Sequence, residues 1–282
     1  MSPVEIKTLD GSAEHEHGVV WLNVPYARPS GDPLRLQVVW PPIPDWFSDT
    51  RYPTIAFIQG SGWRWQQLGQ WLVALSQFAR RGYVVAIVEH RPTEIAPFPA
   101  QIEDVRAAVR FLHENAEQFR VDVDRIALWG DSSGGHLAAL AAITDGTADA
   151  PGVHDVEPLG IGAVVSFYGP SDIARMPDDD ACDDLLGGFD PKQHPELAAS
   201  ATASTYIRPA TEGPLPPFLL MHGSEDPGVP FEQSAILGQA LVDAGHEAEL
   251  YRLEGAGHGA GAFFSGPVLD IVDDFLRKHL DV

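Results

Sequence analysis

Ser132 lies in Gly130-Asp131-Ser132-Ser133-Gly134-Gly135, a Gly-x-Ser-x-Gly arrangement between a β-branched apolar run and a helical stretch. A serine on so tight a turn needs small neighbours two residues to either side, because the strained backbone packs against its own helix. Its hydroxyl then stands at a helix N-terminus, where partial positive charge favours a developing oxyanion. Such a serine is inert without a base, and the base needs an acid to orient it. Eleven histidines make any one of them weak evidence alone. His258 is set apart by its context, the glycine-rich loop Gly255-Ala256-Gly257-His258-Gly259 between the last strand and the last helix. His222 and His136 adjoin apolar strand or helix residues and read as structural. Asp226, in the loop His222-Gly223-Ser224-Glu225-Asp226-Pro227, is the acid candidate, and spacing alone does not dismiss its neighbour Glu225. Ser132, Asp226 and His258 together would perform acyl transfer.

The elements that must hold these groups alternate between strand and helix, the pattern of a parallel sheet with crossover helices. Strands are expected at Val19–Val24, Leu34–Trp40, Thr54–Gln59, Tyr83–Glu89, Arg125–Gly130, Ile161–Tyr168, Pro217–His222 and Ala248–Leu253. Helices are expected at Leu72–Arg80, Ala100–Glu117, Gly134–Ile143, Phe231–Ala244 and Pro267–Leu280. In the second, Ile102, Val105, Val109 and Leu112 recur at three- and four-residue spacing, so one face packs on the sheet. The first two strands have no helix between them, which predicts an antiparallel N-terminal hairpin. Residues 1–33 form this extension, and residues 169–216 read as a lid-like insertion, too long for an ordinary connection. The whole chain, 1–282, is expected to be a single domain.

Here the sequence resembles a known family. Gly130-Asp131-Ser132-Ser133-Gly134-Gly135 resembles the Gly-Asp-Ser-Ala-Gly-Gly elbow of α/β-hydrolases in the esterase/lipase superfamily, near the hormone-sensitive-lipase-like and feruloyl/acetyl-xylan-esterase-like branches. Phe98–Val105, His222-Gly223…Asp226…Val229-Pro230 and Gly257-His258-Gly259 resemble further family blocks, and the chain order Ser132, Asp226, His258 is the expected one. The resemblance runs from about Leu34 to the C-terminus. It implies an α/β-hydrolase fold: a mostly parallel eight-stranded sheet with helices on both faces. It also implies an oxyanion hole from the backbone N–H groups of Ser61, Gly62 and Ser133. The departure is Gln59-Gly60-Ser61-Gly62-Trp63, where these families usually carry His-Gly-Gly-Gly-Trp; Gln59 can replace the histidine only as a hydrogen-bonding brace.

Trp63, Trp65, Phe231 and Phe263 lie beside the proposed catalytic loops and could wall a substrate pocket, with core packing the equal alternative for each. Arg91 is expected to be a structural ion-pair residue. His15-x-His17 supplies too few fixed ligands for a metal, and the Asp178–Asp184 cluster lacks calcium-loop spacing, so no metal site is expected. No cofactor is required.

Composition narrows the partners. Eighteen Lys and Arg stand against 40 Asp and Glu, a net charge of −22, divided at residue 141 into −4 and −18. So acidic a chain lacks the basic face that binds nucleic acid or an anionic membrane. The start, Met1-Ser2-Pro3-Val4-Glu5, has no basic and apolar leader, and the single Cys182 permits no intramolecular disulfide, both of which suit a cytoplasmic location. Homo-oligomer formation stays open. The expected activity is serine carboxylesterase hydrolysis of small or aromatic-acyl esters. An amide-directed hydrolase (a peptidase or aryl formamidase) is the alternative within enzymes, and a non-catalytic binding module the alternative outside them.

Overall fold

The computed structural model describes residues 18–43, 47–148, 150–152, 157–259 and 261–282. The His15–His17 pair lies outside the described residues.

Eight strands form one sheet: β1 (Val20–Ser30), β2 (Asp32–Val39), β3 (Tyr52–Ile58), β4 (Val84–Val88), β5 (Val121–Asp131), β6 (Ile161–Phe167), β7 (Phe218–Gly223) and β8 (Ala248–Leu253). Their spatial order is β1-β2-β4-β3-β5-β6-β7-β8. The β1–β2 and β2–β4 pairs are antiparallel and the remaining pairs parallel. This is the α/β-hydrolase arrangement expected from the sequence.

Strands buried on both faces have no polar side to show, which is why β4 reads as the unbroken run Val-Val-Ala-Ile-Val. Val84, Ala86 and Val88 enter one core and Val85 and Ile87 the other. The first core is completed by α2 (Ala100–Glu114), α4 (Ser133–Ile143) and α7 (Glu232–Asp243), and the second by α1 (Leu72–Arg80) and α8 (Gly266–Leu280). Every residue of α4 is buried, so this alanine-rich helix has no amphipathic stripe and takes the centre of its layer. Truncating Leu137 or Leu140 to alanine there would cost about 2–5 kcal/mol.

Three differences from the sequence reading have local causes. First, β1 runs to Ser30, well past Val24, because an edge strand with register shifts at Pro25 and Ala27 tolerates the prolines that argue against a longer strand. The helix from Ala100 stops at Glu114; Asn115 turns its amide back to the Phe111 carbonyl at 2.8 Å, and α3 (Ala116–Phe119) follows.

The third concerns the 169–216 segment, read from sequence as a lid-like insertion, which carries helices of its own and packs into the core. It contains α5 (Asp180–Leu185) and α6 (Pro195–Ser200), and Ile173, Cys182, Leu185, Ala198 and Ala201 join the first core. Its start is tied by the Ser171 and Asp172 N–H groups donating to Gln233 Oε1, both at 2.8 Å, and to its own interior by Ile173 N–H donating to Thr202 Oγ1 at 3.1 Å. The acidic cluster has a structural use as well: the Asp179 carboxylate accepts the Ala181 N–H at 3.0 Å and caps α5. Among the described residues no helix is long and apolar enough to cross a membrane.

Candidate active site

Ser132 occupies the corner between β5 and α4 with φ 51° and ψ −126°. That left-handed backbone is costly for a non-glycine residue and persists only where surrounding packing enforces it. The enforcement is visible in its neighbours. A Cβ on Gly130 would sit 2.2 Å from the Gly134 carbonyl oxygen, and one on Gly134 would sit 1.9 Å from the Ile58 carbonyl oxygen. Helix α4 therefore lies against both its own strand and β3, and Ser132 is pushed out at the carboxyl end of the sheet.

The structure brings the three candidate residues together from three strand ends. The Ser132 hydroxyl donates to His258 Nε2 at 2.8 Å, and His258 Nδ1–H donates to Asp226 Oδ2 at 2.7 Å. The tautomer follows from the network, since only Nδ1 faces a carboxylate. Glu225, left open by spacing, is exposed, whereas the Asp226 side chain has no exposed surface. Burial alone would raise the Asp226 pKa. Hydrogen bonds from His222 and His258 and from the Val229 N–H outweigh it and hold the carboxyl well below its ordinary range. Asp226 Oδ1 accepts the N–H groups of Gly228 and Val229 at 2.9 and 2.8 Å. His258 keeps 31% of its side chain exposed, enough for an incoming substrate to meet it.

His222 and His136 are buried and satisfied, as structural histidines should be. His222 Nε2–H donates to the Val229 carbonyl at 2.8 Å and lies 3.5 Å from Asp226 Oδ2, while Ser234 Oγ–H donates to its Nδ1 at 2.7 Å. His136 accepts the Trp63 indole N–H at 3.1 Å and donates to the Ala201 carbonyl at 2.6 Å. Arg91 is spent on Asp104 and Glu103 at 2.9 and 2.7 Å, the structural role expected of it.

The 59–65 loop departs in part from what the resemblance implies. Ser61 N–H donates to the Ser133 hydroxyl at 2.9 Å, so it is not a free donor for an oxyanion. The N–H groups of Gly62 and Ser133 have no partner among the described residues. Ser133 is the first residue of its helix, where an N–H lacks an intrahelical acceptor. Gln59 Nε2 braces Gln70 Oε1 at 3.1 Å. Two further braces escaped the sequence reading. Asp131 Oδ1 accepts the Gly60 N–H at 2.8 Å; burial pushes the Asp131 carboxyl up to about 6 although this bond lowers it. Gln66 ties the loop to β4 by donating to the Gln59 and Val88 carbonyls at 3.0 and 3.2 Å and accepting His90 N–H at 2.9 Å. Only the identity of Asp131, next to the nucleophile, carried any sequence signal.

Of the four aromatic pocket candidates, two are corrected. Trp63 is 2% exposed and Phe263 fully buried, each packed edge-on, against His136 and Tyr168 respectively, so neither can wall an open pocket. Phe231 carries the Arg252 guanidinium over its ring at 5.2 Å and meets His222 edge-on at 5.8 Å. Trp65 remains exposed. No cluster of three or more His, Cys, Asp or Glu side chains among the described residues is placed to hold a metal ion.

A nucleophile elbow on a mostly parallel sheet, facing a histidine and a carboxylate from the last two strand ends, defines an α/β-hydrolase. The chain belongs to the BD-FAE family, whose sequence profile matches residues 44–241. It is similar to Esterase LipQ of Mycobacterium tuberculosis, 29% identical over 83% of this chain and 57% of the relative. It is also similar to Esterase LipC of the same organism, 31% identical over 73% and 53%. The chain thus spans little more than half the length of these relatives. Among solved structures it resembles a truncated form of carbohydrate esterase from gut microbiota, with a TM-score of 0.81 and 29% identity over 97% of this chain and 100% of that one.

Proposed function

We propose that the protein is a serine carboxylesterase. The observation that carries this reading is the continuous pair of hydrogen bonds from Ser132 to His258 and from His258 to Asp226. Ser132 Oγ bonds to the ester carbonyl carbon as its proton passes to His258 Nε2. Collapse of the tetrahedral adduct breaks the carbon–alkoxide bond, and His258 returns the proton to the leaving oxygen. Water then attacks the acyl-serine by the same proton relay and releases the acid. Asp226 orients the imidazole and balances its transient charge. Gly62 and Ser133 N–H groups receive the oxyanion, each contributing roughly 3–4 kcal/mol in comparable sites.

The substrates are small or aromatic-acyl esters, and the likeness to a carbohydrate esterase supports esters whose alcohol is a sugar. Treatment with a fluorophosphonate probe tests the assignment. Wild type should label on Ser132 and hydrolyse p-nitrophenyl acetate, and Ser132→Ala should do neither while keeping its circular dichroism. Undiminished turnover by the variant would overturn the reading.

A further inference from the structure

We propose that Asp131 is a positioning residue for the hydrolysis: its buried negative charge acts on the His258 imidazole past Tyr168 and steadies the imidazolium that forms when Ser132 gives up its proton. The inference rests on the esterase reading and gives the base a second counter-charge besides Asp226.

The placement is fixed by the ends of two neighbouring strands. Asp131 is the last residue of β5 and is 5% exposed. Its Oδ1 accepts the Gly60 N–H at 2.8 Å and its Oδ2 the Tyr168 hydroxyl at 3.4 Å. Tyr168 directly follows β6, is fully buried, and donates its N–H to the Met221 carbonyl at 2.7 Å. Its ring meets His258 edge-on at 4.8 Å and Phe263 at 4.4 Å, so one tyrosine touches both the carboxylate and the imidazole. At φ 41° its backbone is left-handed, a strain that a non-glycine residue keeps only where its surroundings dictate it. Burial pushes the Tyr168 hydroxyl far up, which leaves it a neutral donor.

Holding the 59–63 loop does not by itself call for an acid. That loop already lies so close that a Cβ on Gly60 would sit 2.4 Å from the Asp131 carbonyl oxygen. An asparagine would accept the Gly60 N–H as well, without the cost of burying a charge. The charge is what needs a use, and His258 supplies one. Burial pushes the Asp131 carboxyl up to about 6, and the charge of His258 is among the influences that lower it again. Such an influence is mutual: as far as the imidazolium favours the carboxylate, the carboxylate favours the imidazolium, and away from water the attraction is stronger.

The titratable groups facing His258 are Asp226, from the loop after β7, and Tyr168, with His222 behind Asp226 at 3.5 Å. Those facing Asp131 are Tyr168 and His258. Asp226 is held well below its ordinary range, so of the two carboxylates only Asp131 changes charge near pH 6. As pH falls through that value the base takes up a proton and loses a counter-charge together.

Asp131→Asn keeps the acceptor for Gly60 and removes the charge. On p-nitrophenyl acetate its kcat should be about tenfold lower than wild type with KM within twofold. The acid limb of kcat/KM should fall about one decade per pH unit in the variant and more steeply in wild type, where two groups titrate. A kcat equal to wild type, or an acid limb of unchanged slope, would overturn the proposal. Tyr168→Phe is a milder change that removes a donor lowering the Asp131 carboxyl, so the steep part of its limb should begin at higher pH; a limb that stays in place would also count as refutation. Titration of the His258 imidazole by NMR in Ser132→Ala reads the same coupling without turnover. Adding Asp131→Asn should lower its midpoint by about one pH unit, the equivalent of that tenfold, and an unmoved midpoint would overturn the proposal. A wild type that hydrolyses no ester while this midpoint still moves would refute the esterase reading alone.

Discussion

Ser133 holds Ser61 across the mouth of the site: the hydroxyl next to the nucleophile accepts the N–H of the facing loop at 2.9 Å. Ser133 stands where the resembled motif carries alanine, and its hydroxyl is what engages the backbone N–H at position 61. The Ser61 hydroxyl closes the same turn by donating to the Arg64 carbonyl at 2.7 Å. Ser133→Ala should therefore loosen the loop that presents Gly62. Stability should fall by about 0.5–1.5 kcal/mol, the usual net worth of such a bond, with kcat on p-nitrophenyl acetate several-fold lower and KM nearly unchanged. A faster variant would show instead that the released Ser61 N–H becomes a further oxyanion donor.

Hydrogen bonds from His222, His258 and the Val229 N–H hold the Asp226 carboxyl below its ordinary range against the effect of burial. Its lowered pKa makes the carboxylate a source of stability that is complete above about pH 4, its unfolded value, and lost as pH falls through the still lower folded value. Acid loss of activity between pH 8 and 5 is therefore not a titration of Asp226. Asp226→Asn should lower kcat by about 10⁴-fold, since an amide fixes the wrong imidazole tautomer. Steady-state kinetics checks this, and a loss below tenfold would remove Asp226 from its proposed role.

His222 Nε2 lies 3.5 Å from Asp226 Oδ2, the same oxygen that accepts from His258, and neither His222 nor Asp226 exposes any side-chain surface. His222→Leu should lower kcat more than it raises KM, because the carboxylate loses a neighbour that fixes its direction. The expected loss is on the order of tenfold, the effect of removing an outer hydrogen-bond partner in comparably supported sites. Equal kcat in variant and wild type would make His222 a core residue only.

Burial pushes His90 and His136 down to about 4, so both stay neutral in the folded protein when the unfolded chain already binds protons near pH 6.5. Each makes a stability contribution that is full above pH 6.5 and declines as pH falls toward 4. The decline is about 1.4 kcal/mol per pH unit for each group. Other carboxyls titrate in the same window, so the comparison must be with a variant. His90→Leu should flatten the pH dependence of the urea unfolding free energy by about that slope between pH 6 and 4.5. Parallel curves for the two proteins would contradict the burial argument.

Charge bears on substrate choice. The acidic half carries −18 and includes Asp178–Asp184, where Asp184 pairs with Arg64 at 2.7 Å and Asp178 pairs with Lys192. Both pairs are exposed and screened, contributing little to stability. The long-range field remains, so kcat/KM for an anionic ester such as a succinyl monoester should rise with salt, while that for a neutral ester stays flat. Stopped-flow or plate assays from 10 to 500 mM NaCl decide this.

The layered sheet was legible because β3, β4 and the second half of β5, from Ile126, are buried on both faces and so read as apolar runs, with the amphipathic α2 at helical spacing. The reach of β1 was not: its prolines mislead unless one knows that it is an edge strand. Ser132, Asp226 and His258 were legible because glycine-bounded loops after strands leave local marks. The duties of Gln66 and Ser133 were not, since each depends on a partner far along the chain: Gln66 on Val88 and His90, Ser133 on Ser61. Trp63 and Phe263 show the converse error. Aromatics near catalytic loops look like pocket walls in sequence, yet a ring with a packing partner, such as Trp63 on His136, belongs to the core.

The 169–216 segment is packed into the core through Ile173, Cys182, Leu185 and Ala201, and α5 is fastened further by the Phe98 N–H donating to the Leu185 carbonyl at 2.8 Å. Nothing so anchored has to be peeled back before catalysis. The protein should then be indifferent to oil–water surfaces. Its velocity should follow dissolved ester hyperbolically, with no lag and no jump at the solubility limit, and detergent micelles should compete for substrate rather than activate.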